Sequence, residues 1–120
     1  MVFDSKEIFS DYIVEEDKET KAYRKLWRGV IYQLYWDFHR EPTTDYQELH
    51  KSRAIIYLQN YKEDFDMMCF FADIDPDYLR EKMDKVKTAR EMGIISNYQS
   101  TGKMQFTLDK ILRRITGFYA

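Results

Sequence analysis

The sequence predicts an all-α fold, a compact bundle of four main helices with a helix-turn-helix and a C-terminal amphipathic helix. Three observations carry that expectation. Apolar residues recur at spacings of three and four along most of the chain instead of alternating. Only four Gly and two Pro punctuate the 120 residues, so tight turns are few. The breaks that do occur carry helix stop and start signals, clearest in the stretch from Phe65 to Val86. There Phe65, Met68, Cys69 and Ala72 form one apolar stripe and Leu79, Met83 and Val86 the next. Between them Asp75 suits an N-cap and Pro76 the first helical turn, which is the outline of a helix-turn-helix.

Taken in order, residues 1–20 read as an acidic arm without sustained periodicity, with a short helix from Ser5 to Ile13 at most. Lys21 to Arg40 predicts the central helix, because Tyr23, Leu26, Trp27, Val30, Ile31, Leu34, Tyr35 and Phe38 cover well over half its circumference. Gly29 interrupts it at a propensity cost of roughly 1 kcal/mol against Ala, and a close helix crossing is the expected compensation. Pro42 ends that helix. Thr44, with Gln47 three residues on, then opens a second one from about Asp45 to Gln59 as a capping box. Its buried face is expected at Leu49, Ala54, Ile55, Tyr57 and Leu58, with His50, Lys51 and Arg53 toward solvent. A third helix runs from about Lys62 to Asp73, and a fourth from Pro76 to about Met92, stopped at Gly93. Ile94 and Ile95 are expected to fold back on the core. Asn97 to Gly102 reads as a loop and Lys103 to Phe106 as a short extended piece. Thr107 then caps a last helix through Ile115, with Leu108, Ile111, Leu112 and Ile115 on its apolar stripe. The organisation is therefore an arm (1–20), a helical domain (21–95), and a loop with a C-terminal helix (96–120) that is a candidate oligomerisation segment.

Composition narrows the chemistry. Charged residues are 33% and hydrophobic residues 44%, which fits a folded domain. No run approaches the ~18 apolar residues of a membrane span, and the acidic N-terminus does not resemble a signal peptide, so a cytoplasmic protein without membrane contact is expected. Cys69 is the single cysteine, expected as a buried small hydrophobe, and with only His39 and His50 beside it a zinc site lacks ligands. Asp73, Asp75 and Asp77 alternate as cation ligands do, but lack the Gly and distal Glu of a calcium loop. Capping explains Asp75 and Asp77 more simply. No phosphate loop, nucleophile elbow or Cys-His spacing is present, so neither an enzyme nor a cofactor is expected.

The net charge of −2 conceals a segregation of sign. Residues 1–20 hold Asp4, Glu7, Asp11, Glu15, Glu16, Asp17 and Glu19 against Lys6 and Lys18. From Arg80 to Arg114 the bases Arg80, Lys82, Lys85, Lys87, Arg90, Lys103, Lys110, Arg113 and Arg114 face only Glu81, Asp84, Glu91 and Asp109. Such a chain offers its C-terminal third to a polyanion, nucleic acid being the commonest, and double-stranded DNA is the expected partner. The alternative is that the acidic head folds against the basic tail. The expected phosphate contacts are Arg80, Lys82, Lys85, Lys87 and Arg90 on the fourth helix, and Lys110, Arg113 and Arg114 on the last. Asp75, Asp77 and Glu81 crowd the end of the fourth helix that would enter a major groove, so contact is expected from its later turns.

The segments KLWRGVIYQLYWDF and AIIYLQNYKEDFDMMCFFADIDPDYLREKM resemble a class of small helical proteins of tailed phages and prophages. The resemblance rests on Leu26, Trp27, Val30 and Ile31; on Ala54 and Leu58; on Phe65 and Cys69; and on Asp75, Pro76, Leu79 and Arg80. It covers residues 25–83, about half the chain. It implies a non-catalytic DNA-binding protein. A helix-turn-helix followed by an assembling segment also looks like the small terminase subunit of phage packaging motors, which implies a homo-oligomeric ring that recruits a large terminase subunit in the host cytoplasm. Two features depart from that comparison: the helix-turn-helix is mid-chain, and no long oligomerisation hairpin follows. The rival expectation is a phage-encoded inhibitor of a host nucleic-acid enzyme or defence system, its acidic arm mimicking nucleic acid.

Overall fold

The computed structural model describes residues 17–95 and 108–119. Among them it has helices α1 (Lys18–His39), α2 (Asp45–Asn60), α3 (Lys62–Ala72), α4 (Pro76–Glu91) and α5 (Leu108–Thr116), and no strand. The fold is all-helical. The expected Ser5 to Ile13 helix, the Asn97 to Gly102 loop, the extended piece from Lys103 to Phe106 and the Thr107 cap lie outside the described residues.

Local chemistry fixes the boundaries. Asp17 caps α1 by accepting from the Glu19 N–H at 3.1 Å. The helix thus begins three residues before the expected Lys21, and Lys18 and Glu19 belong to its first turn. Thr44 Oγ1 accepts from the Gln47 N–H at 3.1 Å, as a capping box requires. Gln47 Oε1 returns the contact one residue early, accepting from the Thr43 N–H at 2.9 Å. Asp75 Oδ1 accepts from the Asp77 N–H at 3.0 Å, with Pro76 opening α4. α4 ends as Gly93 predicts: Gly93 takes φ +74°, its N–H reaches Arg90 O at 3.0 Å and the Ile94 N–H reaches Ala89 O at 2.9 Å. The same pair of bonds closes α3 around Asp73, from its N–H to Phe70 O (3.1 Å) and from the Ile74 N–H to Cys69 O (2.9 Å). Here an aspartate at φ 56° occupies the left-handed position that glycine usually fills.

α1 is central, packing against α2, α3 and α5. The core comprises Ile31 and Tyr35 of α1, Phe65, Cys69 and Ala72 of α3, Leu79, Met83 and Val86 of α4, Ile95, and Leu108 and Leu112 of α5. The stripes expected on α3, α4 and α5 therefore face inward. Two other expectations hold in part. On α1, Tyr23, Leu26 and Val30 are 48%, 60% and 40% exposed, because they share the one side of this helix that the neighbouring helices leave open, while Ile31 and Tyr35 are buried and Trp27, Leu34 and Phe38 pack on the core. On α2 Ala54 is buried, Tyr57 and Leu58 pack half-buried against the core and Ile55 is half-buried, whereas Leu49 is exposed. Of the two residues expected to fold back, Ile95 does so and Ile94 remains exposed.

Gly29 has a different purpose from a helix crossing. A Cβ there would lie 3.0 Å from Phe118 Cε2, so the missing side chain admits an aromatic ring. Gly117, at φ +68°, turns the chain after α5 and sends Phe118 back across α1. A Cβ on Gly117 would in turn lie 3.2 Å from Arg28 Nη1.

Candidate nucleic-acid interface

The basic residues divide by what their side chains already hold. Arg80 pairs with Asp66 of α3, lies 3.4 Å from Asp77, and sits 5.0 Å from the centre of the Phe65 ring. It locks α4 to α3. Arg90 Nη1 donates to His39 O at 2.6 Å and lies 3.4 Å from Phe38 O. Arg113 pairs with Asp109 at 3.1 Å and covers the rings of Tyr32 (5.0 Å) and Phe118 (5.7 Å). Tyr32 Oη donates to Asp109 Oδ1 as well, and burial, reinforced by that carboxylate, pushes the phenol up to about 12. These three arginines join elements to one another.

The lysines of α4 do not share a face. Lys85 lies 3.4 Å from Glu81, and Lys82 sits 5.7 Å from the centre of the Tyr78 ring. Lys87 is exposed. At about 100° per residue, Lys82 and Lys87 flank the buried stripe of Leu79, Met83 and Val86 from opposite sides, and Asp77, Glu81 and Asp84 fall in the exposed arc of roughly 220° that separates them. On α5, Lys110 and Arg114 are exposed one turn apart, on the side away from Leu108 and Leu112.

The sequence reading missed the cations of α1 and α2. Lys51, expected in solvent, donates from Nζ to Phe38 O at 2.7 Å and to Arg40 O at 3.0 Å. Together with Arg90 it satisfies the last carbonyls of α1, where the helix dipole favours positive charge. Arg28 Nε donates to Ala72 O at 2.8 Å and does the same for α3. Buried between these cations is His39, whose two ring nitrogens have no hydrogen-bond partner among the described residues. Burial, then the charges of Arg90, Lys51 and Lys87, lower its pKa to about 3, so the imidazole is neutral.

At the other end of α1 stand Lys18, Lys21 and Lys25, all exposed, with Arg24 and Arg28 on adjacent sides. Glu19 is the one acid of the helix before Asp37. The contacts Tyr32–Asp109 and Arg28–Gly117 mean that α5 runs antiparallel along α1. Lys18, Lys21 and Lys25 therefore continue the edge that α5 supplies with Lys110 and Arg114. The signal was present in the sequence, since Lys18 to Arg28 is as basic as any comparable window. Counting the chain in broad blocks averaged it against the acids of α2 and α3.

Comparison with family models, with curated proteins and with solved structures finds no match. The chemistry therefore rests on the chain itself. Among the described residues, no group of three or more His, Cys, Asp or Glu is placed to hold a metal ion, and no helix is long and apolar enough to cross a membrane. Cys69 is buried, and burial raises its thiol to about 12, far from the thiolate a nucleophile needs.

Proposed function

We propose that the protein is a non-catalytic DNA-binding protein whose phosphate contacts lie along the α1–α5 edge. The observation that carries this reading is the position of Lys18 and Lys21. They occupy the first turn of a helix, where the dipole disfavours cations by about 0.3–1 kcal/mol each, and neither has an ion-pair partner among the described residues. Folding gains nothing from them there, whereas a phosphate backbone would. Lys25, Lys110 and Arg114 extend the same edge. Lys82, Lys85 and Lys87 are secondary contacts, since interleaved acids oppose them. α3, the turn at Asp73 to Asp75, and α4 form the helix-turn-helix scaffold, stiffened by Arg80 and Arg90. Assembly into a ring, as the likeness to a small terminase subunit implies, would multiply individually weak contacts.

The test is duplex-DNA binding across a salt series. Affinity should fall steeply with salt, and Lys21→Gln, Lys25→Gln and Arg114→Gln should each lower the logarithmic slope by about 1. Lys87→Gln should change it less. A flat salt dependence ends the reading. Phe70, 79% exposed, and Met67 one turn before it favour the rival, a protein-binding inhibitor. A monomeric mass by light scattering with no DNA shift at low salt would select that rival.

A further inference from the structure

The exposed side of α1 carries an apolar groove of about 600 Å³, floored by Ala22, Leu26, Gly29 and Val30 and walled by Phe118. Two independent glycine positions build it: Gly29 leaves room for the Phe118 ring, and the left-handed Gly117 directs the ring there. Leu26 and Val30 face outward inside it. Lys25 lies on its rim, with Lys18 and Lys21 continuing the rim toward the start of the helix.

We propose that this groove is the docking site for the chain's own residues 1–16. Their sequence matches it in both respects that matter. Phe3, Ile8, Phe9, Tyr12 and Ile13 supply apolar side chains, and Asp4, Glu7, Asp11, Glu15 and Glu16 supply the charge opposite to Lys18, Lys21 and Lys25. Position favours this occupant over any other. The segment ends at Asp17, the cap of the helix that bears the groove. From Ala22 to Gln33 the groove runs about 17 Å along α1, well inside the roughly 50 Å that sixteen extended residues can reach. A tether this short holds the segment at an effective concentration on the order of millimolar, above that of a free partner or a second copy. Docking brings carboxylates over the lysines assigned above to phosphate, so the segment competes with DNA. That consequence rests on the DNA-binding reading, whereas the docking itself does not.

The experiment uses the full chain with methyl-labelled Ile, Leu and Val. Nuclear Overhauser contacts from the Ile8 or Ile13 methyls to Leu26 or Val30 are expected, and Leu26→Ser with Val30→Ser should move the Ile8 and Ile13 methyl resonances to the positions of a solvent-exposed chain; unmoved Ile8 and Ile13 resonances in that variant overturn the docking. Neither substituted residue belongs to the buried core, so the fold should tolerate the change. Absence of those contacts overturns the docking. Contacts seen only between differently labelled chains in a mixed sample also overturn it, because the occupant is then a second copy. Salt-dependent DNA binding measured on the same samples separates the two ideas. Contacts without DNA binding leave the docking intact and remove the proposed function; binding without contacts does the reverse. If both hold, the double Ser variant should bind DNA severalfold more tightly than the native chain.

Discussion

The two ends of α1 both gather positive charge, with opposite outcomes. At the C-terminal end the cations come from other helices, Lys51 from α2 and Arg90 from α4, and they are consumed by the carbonyls of Phe38, His39 and Arg40. At the N-terminal end the helix presents its own Lys18, Lys21 and Lys25 to solvent. The first arrangement complements the helix dipole and joins three helices. The second opposes the dipole and joins nothing among the described residues. A count of basic residues cannot distinguish these uses, because what matters is whether a donor already has an acceptor.

That contrast can be broken most forcefully at the C-terminal end, through His39. Its folded pKa, about 3, lies below the ordinary 6.5, so between those values the unfolded chain binds a proton that the folded chain does not. Stability should therefore decline on acidification, by about 1.4 kcal/mol per pH unit across that window. His39→Phe should remove this component, and at pH 7 it should stabilise by about 1 kcal/mol because two orphaned nitrogens disappear. Urea unfolding at pH 7 and pH 5 checks both; equal acid sensitivity in the two proteins would mean that His39 is not buried neutral. Next in size, Arg90→Met should cost about 2 kcal/mol by the same measurement, since it strips a charged donor from the carbonyls of α1. Lys87→Met, three residues earlier and exposed, should stay within about 0.5 kcal/mol. Equal losses would erase the distinction between engaged and open cations. The smallest effect is expected at the N-terminal end. Lys21→Glu should raise stability by about 0.5 kcal/mol, through the dipole, while weakening DNA binding. A variant that gains stability without losing affinity would remove Lys21 from the interface.

How much of this was legible in the chain depended on whether the deciding contact was local. The start of α2 at Thr44 and Gln47, the start of α4 at Asp75 and Pro76, and its end at Gly93 were readable because each cap is satisfied within a few residues. The inward stripes of α3 and α4 were readable because helical spacing alone defines them. Leu26 and Val30 were misread as core, since periodicity reveals an apolar side but not whether a neighbour covers it. Gly29 looked like a helix-crossing position, and only the return of Phe118, 89 positions on, explains it. At the candidate site, Arg80, Arg90 and Arg113 were correctly seen as cations. Asp66 for Arg80 and the carbonyls for Arg90 lie on other helices, whereas Asp77 for Arg80 and Asp109 for Arg113 lie within one turn, so only those two local pairings were open to sequence reasoning.

The carbonyl cluster at the end of α1 also bears on how the molecule opens. Lys51 and Arg90 grip the same turn of backbone from two helices that otherwise share little packing. Unwinding that turn releases both donors together, and losing either donor loosens the turn for the other. In native-state hydrogen exchange, the last turn of α1, the middle of α2 and the end of α4 are therefore expected to open as one cooperative unit with a common free energy.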